Sequence, residues 1–507
     1  MDDGRRVRPS ATWLLALALC GCTTILGDDF EVVATSAGGA GGSGATGGSA
    51  GTGGTGASAG TGGTIEPGAL LWSKRFGDPG RQGVADLALD STGNILLTGS
   101  FNGSIDFGNG PLVSAGGLDV LVAKLSPDGE EVWSQRFGSG DADQIGWGIG
   151  VDSQNNVVVG GDYAGTVNFG LGDWVSPAGT DNLRPNVFVA KFESTGFPVW
   201  SYGFGDAATQ VLYALAIGAD DRILVGGFSQ GGSTLDFGGA CGSLVAGGPW
   251  DMWLAELDPN GACTWARTFP GLNSPFNNIS LAPWGASGWL VGGSYDNSIV
   301  IDGVTYWAPA AADFDAYVMA LQWNTGLTQW QRTFSATDAQ EVRAVRTAPN
   351  GQTWATGYFG TSIDFQPGAL TSAGGSDAFL ATLDGYGATL NAKRYGDTSN
   401  DSGTTLAFDS AGNVRLAGGF GLTMDLGGNP LTSIEGQDIF LAALDPSFGL
   451  LWARSCGGPQ DQFEPRIAVD GAGATVLGAT FAGKANCGGG DLESAGDWDV
   501  LLAKFAP

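Results

Sequence analysis

Apolar and polar positions alternate along the chain in short runs, and four such runs form a unit that recurs seven times. In the first unit the runs are Val84–Asp90, Asn94–Phe101, Asp119–Leu125 and Glu131–Phe137. Each has the length and the aliphatic or aromatic content of a strand, and Gly-containing turns separate the members of each pair. The pattern therefore predicts four antiparallel strands per unit.

One position of every unit is marked by a short motif, seen first as Trp72-Ser-Lys-Arg-Phe76 and again as Trp133-Ser-Gln-Arg-Phe137. The marked position returns, at intervals of 61 to 67 residues, at Trp200, Trp265, Trp330, Asn391 and Trp452. A period of this size indicates one supersecondary unit whose copies bury their apolar faces on one another. Seven four-stranded units predict an all-β fold, a single seven-bladed β-propeller.

The two ends of the repeat complement each other. The last unit stops at its third run, Val500–Phe505, and a fourth run is found at the other end of the repeat, at Leu70–Phe76. We therefore expect the N-terminal strand to complete the last blade and close the ring. The propeller would then span residues 67–507.

The repeated strings resemble those of a known family. "ALDSTGN", "LAGGF", "DFG" and "W..RFG" are similar to the repeats of the bacterial β-propeller family of the SBBP type, over about Leu70 to Phe505. The resemblance implies a propeller in an exported bacterial protein and implies no particular activity. The fourth unit departs most, because Leu281–Gly288 replaces the usual Asp-x-x-Gly-Asn turn. This departure puts the first hairpin of that unit in doubt.

The segment before the repeat has the pattern of an export signal. Basic residues at positions 5, 6 and 8 precede an apolar run, residues 11–19, that is too short to span a bilayer. Leu19-Cys-Gly-Cys22 resembles a bacterial lipobox, which implies a lipoprotein signal peptide over residues 1–21 and a diacylglyceryl anchor on Cys22. A plain secretory signal is the alternative.

Two further segments separate this signal from the propeller. Residues 22–36 would form the mature N-terminus, and residues 37–66 a disordered tether. Positions 37 to 64 contain only Gly, Ala, Ser and Thr, a composition that buries too little apolar surface to order. Thr23 stands where enteric lipoproteins of the inner membrane carry Asp, so we expect the outer membrane by analogy.

Charge and composition exclude several kinds of partner, catalytic site and metal site. The 507 residues carry 22 Lys and Arg against 51 Asp and Glu, a net charge of −29, which repels phosphate backbones and argues against a nucleic-acid partner. The chain has no histidine, which excludes Ser-His-Asp and Cys-His catalysis and every His-ligated metal site. We expect a monomer that touches the membrane only through its lipid.

The cysteines of the repeat region follow the repeat. Cys456 and Cys487 occupy positions where other units have apolar pairs such as Phe76 and Phe107. One unit alone has a cysteine at either position and it has both, so we expect a disulfide, with free buried thiols as the alternative. Cys241 and Cys263 would then pair by elimination.

Repeated charged residues are interpreted as scaffold. An Asp precedes the third strand in six units, and a carboxylate there usually accepts backbone N–H groups in a turn. The acidic loops Asp141–Asp143 and Asp397–Asp401 lack the D-x-D-x-D-G pattern of a calcium loop. Solvated loops are the favoured interpretation and calcium binding the alternative. We identify no catalytic residues, no metal ligands and no other cofactor.

The candidate binding residues are six aromatic residues that break the repeat, namely Trp147, Trp174, Tyr213, Trp250, Tyr306 and Trp307. Two of them, Trp147 and Tyr213, lie at the entry of the innermost strand and would edge the central channel. The other four lie in the inserts between the second and third strands, which we expect to share a face with the channel mouth. There they would stack on sugar rings or anchor a protein, unless they pack between blades.

Three functions remain open. The leading hypothesis is a non-catalytic, lipid-anchored binding or scaffold module of the cell envelope, for a protein or a glycan. The alternative is an enzyme acting on extracellular polysaccharide, a glycosidase or lyase, which needs two carboxylates at the channel mouth and a raised pKa on one. The third is a structural spacer whose aromatic residues are all buried.

Overall fold

The fold of the protein is taken from a computed structural model that describes residues 65–274, 278–308, 314–366 and 368–507. The predicted signal peptide, Cys22 and the predicted tether up to residue 64 lie outside the described residues. Seven four-stranded antiparallel sheets are present, which confirms the all-β propeller. A short 3-10 helix, Ala219–Asp221, connects two strands of blade 3.

Each blade consists of four strands that follow one another from the channel outward. In blade 1 they are Gln82–Leu89, Ile95–Phe101, Asp119–Leu125 and Glu131–Phe137. In blade 2 they are Gln144–Val151, Val157–Tyr163, Asn186–Phe192 and Pro198–Phe204. In blade 3 they are Gln210–Ile217, Ile223–Gln230, Trp250–Leu257 and Cys263–Leu272. In blade 4 they are Ile279–Trp284, Gly288–Asp296, Phe314–Gln322 and Thr328–Phe334.

The last three blades follow the same order. In blade 5 the strands are Gln340–Thr347, Thr353–Phe359, Asp377–Leu383 and Thr389–Tyr395. In blade 6 they are Ser402–Phe408, Val414–Phe420, Asp438–Leu444 and Leu450–Cys456. In blade 7 they are Gln462–Val469, Thr475–Phe481, Asp499–Phe505 and Leu70–Phe76.

The outermost strand of blade 7 is the first strand of the described chain. Leu70–Phe76 pairs antiparallel with Asp499–Phe505, so that Ser73 lies opposite Ala503 and Phe76 opposite Val500. The innermost strands of all seven blades contact their neighbours in a complete circle. The two ends of the repeat therefore share one sheet.

The core lies between the faces of adjacent blades. The third strand of blade 1, Asp119–Leu125, is buried at every position, as are the corresponding strands of blades 2, 5, 6 and 7. Such strands are covered on both faces, which explains why their sequences are nearly continuous apolar runs. The doubtful hairpin of blade 4 also forms, because Ile279–Trp284 pairs in regular register with Gly288–Asp296.

A small two-stranded hairpin lies between the second and third strands of every blade. The seven hairpins are Ser104–Ile105/Leu112–Val113, Thr166–Asn168/Asp173–Val175, Thr234–Asp236/Ser243–Val245, Ser298–Ile301/Val304–Trp307, Ser362–Asp364/Ala369–Thr371, Thr423–Met424/Leu431–Thr432 and Lys484–Ala485/Leu492–Glu493. In most blades this hairpin contacts an outermost strand, of its own blade or of the preceding one. The inserts therefore fold outward along the rim of the propeller.

Both predicted disulfides are confirmed. Cys456 and Cys487 are bonded, with their Cα atoms 4.2 Å apart, and Cys241 is bonded to Cys263. The second bond is possible because the hairpin of blade 3, which carries Cys241, runs along the outermost strand that begins at Cys263.

The apolar pairs equivalent to Cys456 and Cys487 also touch. Ring centroids of Phe76 and Phe107 are 4.7 Å apart, and those of Phe137 and Phe169 are 5.0 Å apart. In each pair one residue ends the outermost strand of a blade, and the other lies in the hairpin of the following blade. Each pair therefore joins two adjacent blades, because the hairpin reaches back to the preceding blade. The Cys456–Cys487 bond accordingly joins blade 6 to blade 7.

The recurring Asp residues have the predicted scaffold role. The Asp119 carboxylate accepts the backbone N–H of Ala115 at 2.6 Å and the guanidinium of Arg136 at 2.9 Å. Asp377 repeats both interactions with Ala373 and Arg394. Each carboxylate thus closes the turn before the third strand and ties that strand to the outermost one.

Candidate binding cleft in the central channel

A β-bulge occurs at the same place in the innermost strand of six blades, all except blade 4. The extra residues are Ala85, Trp147, Tyr213, Arg343 and Thr404 in blades 1, 2, 3, 5 and 6, with Glu464-Pro465 in blade 7. A bulge leaves one residue unpaired and redirects its side chain. The fold therefore presents one variable residue per blade at this level of the channel.

The larger bulge residues are held by the second strand of their own blade. The indole Nε1 of Trp147 donates to Oδ2 of Asp162 at 2.8 Å, and the rings of Tyr213 and Phe228 lie 5.8 Å apart. In blade 5 the guanidinium of Arg343 lies 5.1 Å from the ring of Tyr358. Each of these side chains therefore has a contact on the second strand of its own blade.

Blade 1 leaves this space open. In blade 2, Ile145 lies opposite Asp162 on the next strand. At the same positions of blade 1, Gly83 lies opposite Ser100. The residues equivalent to Trp147 and Asp162 are therefore Ala85 and Ser100, and both are small. A small cleft of about 40 Å³, partly open to solvent, lies here.

The lining of this cleft comes from three blades. Blade 1 contributes Ala85, Gly99 and Ser100, blade 2 contributes Trp147, and blade 7 contributes Phe463, Glu464, Thr480 and Trp498. Arg81 also lines the cleft, with its guanidinium 4.7 Å from the ring of Trp498 and its Nε 3.6 Å from Oδ2 of Asp497. The rings of Phe463 and Trp498 lie 5.9 Å apart. We refer to this site as the blade 1 cleft.

Charged groups line the channel next to the cleft. Glu464 lies 3.7 Å from Arg466, and the Nε of Arg466 donates to the carbonyl oxygen of Ala85 at 2.8 Å. Burial raises the pKa of Glu464, an effect that the nearby Arg466 and Arg343 partly offset. Burial also raises the pKa of Asp86, which accepts the backbone N–H of Ile149 at 3.0 Å. The hydrogen bonds of Arg466 and Asp86 thus link the innermost strands of blades 7, 1 and 2.

A third perturbed carboxyl near the cleft is that of Asp162. It is buried, and this burial raises its pKa to about 8, with a smaller contribution from the negative charge of Asp143 and an opposing one from the Trp147 hydrogen bond. Asp143 is itself held by the amide of Asn182 at 2.8 Å and by the backbone N–H of Leu118 at 2.9 Å. At neutral pH the Asp162 carboxyl is therefore mainly protonated.

The structure separates the six predicted binding residues into two groups. Trp147 lines the blade 1 cleft, and Tyr213 meets it edge to face, with ring centroids 5.3 Å apart. Tyr213 is half-buried and packs against the core between blades 3 and 4. Both residues therefore lie on the innermost strands, as the sequence predicts.

The four insert aromatic residues lie elsewhere. Trp174 donates from Nε1 to the hydroxyl of Ser201 at 3.0 Å, and Tyr306 accepts a hydrogen bond from Gln331; both partners are in outermost strands. Trp250 is paired with Leu272 and packs against the same core as Tyr306, whereas Trp307 is 66% exposed. The expected position at the channel mouth differs from this arrangement, because the hairpins fold along the rim and Trp250 begins the third strand of blade 3. Whether these residues bind a partner stays a prediction.

Most of the cleft was not predicted from the sequence. Phe463, Glu464, Trp498 and Arg81 were not among the candidates, although one signal was present. Pro465 lies inside a strand, a place where proline marks a bulge or an edge. In the described ranges no three acidic or cysteine side chains lie close enough together to hold a metal ion. No helix in these ranges is long and apolar enough to cross a bilayer.

Comparisons with known proteins give remote similarities. No protein-family profile matches the chain. It is 25% identical over 399 residues to the regulatory protein FlaEY of Caulobacter vibrioides, and 28% identical over 157 residues to an uncharacterized WD repeat-containing protein of Acanthamoeba polyphaga mimivirus. These matches cover 75% and 28% of this chain, but only 40% and 11% of the two relatives.

The similarities to solved structures are remote as well. Puromycin hydrolase is 12% identical with a TM-score of 0.42, over 82% of this chain and 53% of that chain. None of these similarities assigns a ligand to the blade 1 cleft.

Proposed function

We propose that this protein is a non-catalytic binding module of the bacterial cell envelope, which holds its ligand in the blade 1 cleft. One observation carries the proposal. Small residues in blade 1 open a space that aromatic side chains from two other blades line, next to polar groups. Concave sites with aromatic lining and a few placed polar groups are the usual form of a ligand site.

The polar groups of the cleft are fixed before any ligand arrives. Glu464 is close to Arg466, Arg81 to Asp497, and the Trp147 indole is bonded to Asp162. A site that is already ordered loses little conformational entropy on binding.

The second part of the proposal concerns location. We infer that the chain is a lipoprotein of the SBBP-type propeller family, anchored through Cys22 to the outer membrane and held away from it by residues 37–66. Support comes from the lipobox-like Leu19–Cys22, and from two disulfides, which persist in oxidising compartments. Labelling with a radioactive fatty acid in a bacterial host should mark the wild type and leave Cys22→Ser unlabelled. Equal labelling of both would refute the anchor.

Binding is tested on the mature chain carrying Cys22→Ser, with a glycan array and with soluble extracts of envelope polysaccharide. We expect Trp147→Ala to reduce binding at least tenfold. The matched control is Trp307→Ala, which removes an exposed tryptophan from the rim. If Trp307→Ala abolishes binding and Trp147→Ala does not, the ligand site is on the hairpins and the cleft assignment is wrong.

A second candidate function is cleavage of a polysaccharide in the same cleft. It is favoured by Glu464, which lines the cleft and whose pKa is raised by burial, so that its protonated form could serve as a general acid. The test is release of new sugar ends from the polysaccharides that bind. Release that is lost in Glu464→Gln, without loss of binding, would replace the binding proposal by the enzymatic one.

A further inference from the structure

The aromatic side of the blade 1 cleft is rigid. Trp147 is fixed at its indole nitrogen by Asp162 at 2.8 Å and at its ring by the edge-to-face contact with Tyr213. Both fixing contacts come from blades 2 and 3, so the cleft itself is left free. A fixed indole offers a flat apolar surface at little entropic cost.

The opposite side of the cleft is also aromatic. Phe463 lies in the innermost strand of blade 7 and packs against Trp498, which is covered in turn by the guanidinium of Arg81. The cleft is thus lined by apolar rings from both neighbouring blades. A ligand that fits here has at least one apolar face.

The charges of the cleft are already matched. Glu464 and Arg466 form one pair at 3.7 Å, and Arg81 and Asp497 form another at 3.6 Å. A charged ligand group would lose hydration here and would have to compete with these pairs for a counter-charge. An anionic ligand would also approach against the net charge of −29.

Hydrogen-bonding groups remain for an uncharged ligand. The hydroxyl of Ser100 and the carboxyl of Glu464 line the cleft. A serine hydroxyl can donate and accept, and a carboxylate accepts from up to four sites. Together with the rings, these groups suit a molecule with one apolar face and several hydroxyls on its edge.

We infer that the blade 1 cleft binds one uncharged pyranose ring, with an apolar sugar face against Trp147 and sugar hydroxyls at Glu464 and Ser100. This inference rests on the binding function proposed above and names its ligand class. The cleft is small and partly open to solvent, so the neutral sugar is a terminal or single residue of a glycan that rests on the cleft with one face. Uronic acids, sulfated sugars and peptides are the ligands it excludes.

Calorimetry on the wild-type mature chain with Cys22→Ser provides the first test. The probes are neutral oligosaccharides, the corresponding oligouronates, and an unrelated peptide library. We expect measurable affinity for at least one neutral sugar and at least tenfold weaker binding of its uronate. If the uronate or a peptide binds more tightly, the ligand class is wrong while a binding function stands. If no probe binds, both the ligand class and the proposed function are overturned.

A variant that fills the cleft provides the second test. Ala85→Trp places in blade 1 the residue that blade 2 has at the same bulge, and we expect sugar binding to fall at least tenfold. The control is Thr404→Trp, the same substitution at the bulge of blade 6. Ser100→Ala, which removes only a hydroxyl, should weaken binding severalfold even if Ala85→Trp does not fold. Unchanged affinity in both cleft variants would overturn the inference.

Discussion

The Trp147 indole and the Asp162 carboxyl are joined by a hydrogen bond of 2.8 Å between two adjacent strands of blade 2. Trp147 is the extra residue of a β-bulge, so its backbone has no ladder partner to fix it. Asp162 supplies that constraint from a buried position. Because this carboxyl is held away from water, its pKa is raised, and the stability of the folded protein depends on pH through Asp162.

From this pair we predict that the free energy of unfolding decreases as the pH rises from about 4 to about 8. Burial raises the pKa of Asp162 to about 8 in the folded protein, whereas the unfolded chain has the ordinary value near 3.8. Between these values the folded state keeps a proton that the unfolded state has lost, so stability decreases as pH rises, by up to about 1.4 kcal/mol per pH unit. Urea unfolding of Asp162→Asn should show a weaker pH dependence over this window. The exposed Asp128→Asn is the control, and a slope reduced equally in both variants would contradict the assignment.

The disulfide between blades 6 and 7 should contribute substantially to stability. Replacing both Cys456 and Cys487 by Ser removes a cross-link over 31 residues, and we expect a loss of about 2–4 kcal/mol in chemical unfolding. Replacing both by Phe supplies the aromatic pair used by blades 7 and 1 at the equivalent positions. The Phe variant should therefore be more stable than the Ser variant. The reverse order would show that the aromatic contact is not interchangeable with the bond.

Breaking one repeated ion pair should be costly even though it is remote from the cleft. Arg136→Ala leaves Asp119 buried without its guanidinium partner, and we expect a loss of about 3 kcal/mol. The exposed pair of Lys74 and Glu130 is the control, since Glu130→Gln should cost less than about 1 kcal/mol. Sugar binding should be unaffected in both variants. A binding defect in Arg136→Ala alone would give this residue a functional role.

Removing the N-terminal strand should destabilise the whole ring. A chain that starts at residue 77 lacks Leu70–Phe76 and exposes the edge of Asp499–Phe505. Exposed strand edges promote association, so we expect a lower thermal midpoint and aggregation by light scattering. A chain that starts at residue 65 keeps the strand and serves as the control. Equal midpoints would show that the pairing contributes little.

The repeat made the fold predictable, because strand content and spacing are local properties of the sequence. Aligning the units on Trp72, Trp133 and their equivalents was enough to assign 28 strands to seven sheets. The Cys456–Cys487 bond followed from the same alignment, since one unit substitutes cysteine at both members of an apolar pair. The alignment does not show which two blades the bond joins, because a hairpin can contact the outermost strand of its own blade or of the preceding one.

The cleft was less accessible to sequence reasoning. It depends on Ala85 and Ser100, whose only distinction is that they are small, and on Trp147 and Glu464 from blades that are far apart in sequence. Small residues that leave a gap give no recognisable sequence motif. The gap becomes a cleft only because side chains of the neighbouring blades line it. The position of the rim aromatic residues was mispredicted for the opposite reason: Trp174 is conspicuous in sequence but packs on its own outermost strand.

The arrangement of blade 7 has a mechanical consequence. A pull that reaches the propeller through the residues before Leu70 is borne first by the six residue pairs between that strand and Asp499–Phe505. The load then passes to the rest of blade 7 and, through Cys487 and Cys456, into blade 6 by a covalent route. The pairing of Leu70–Phe76 is not covalent, whereas the step from blade 7 to blade 6 is, so this strand is the first element that such a pull would detach.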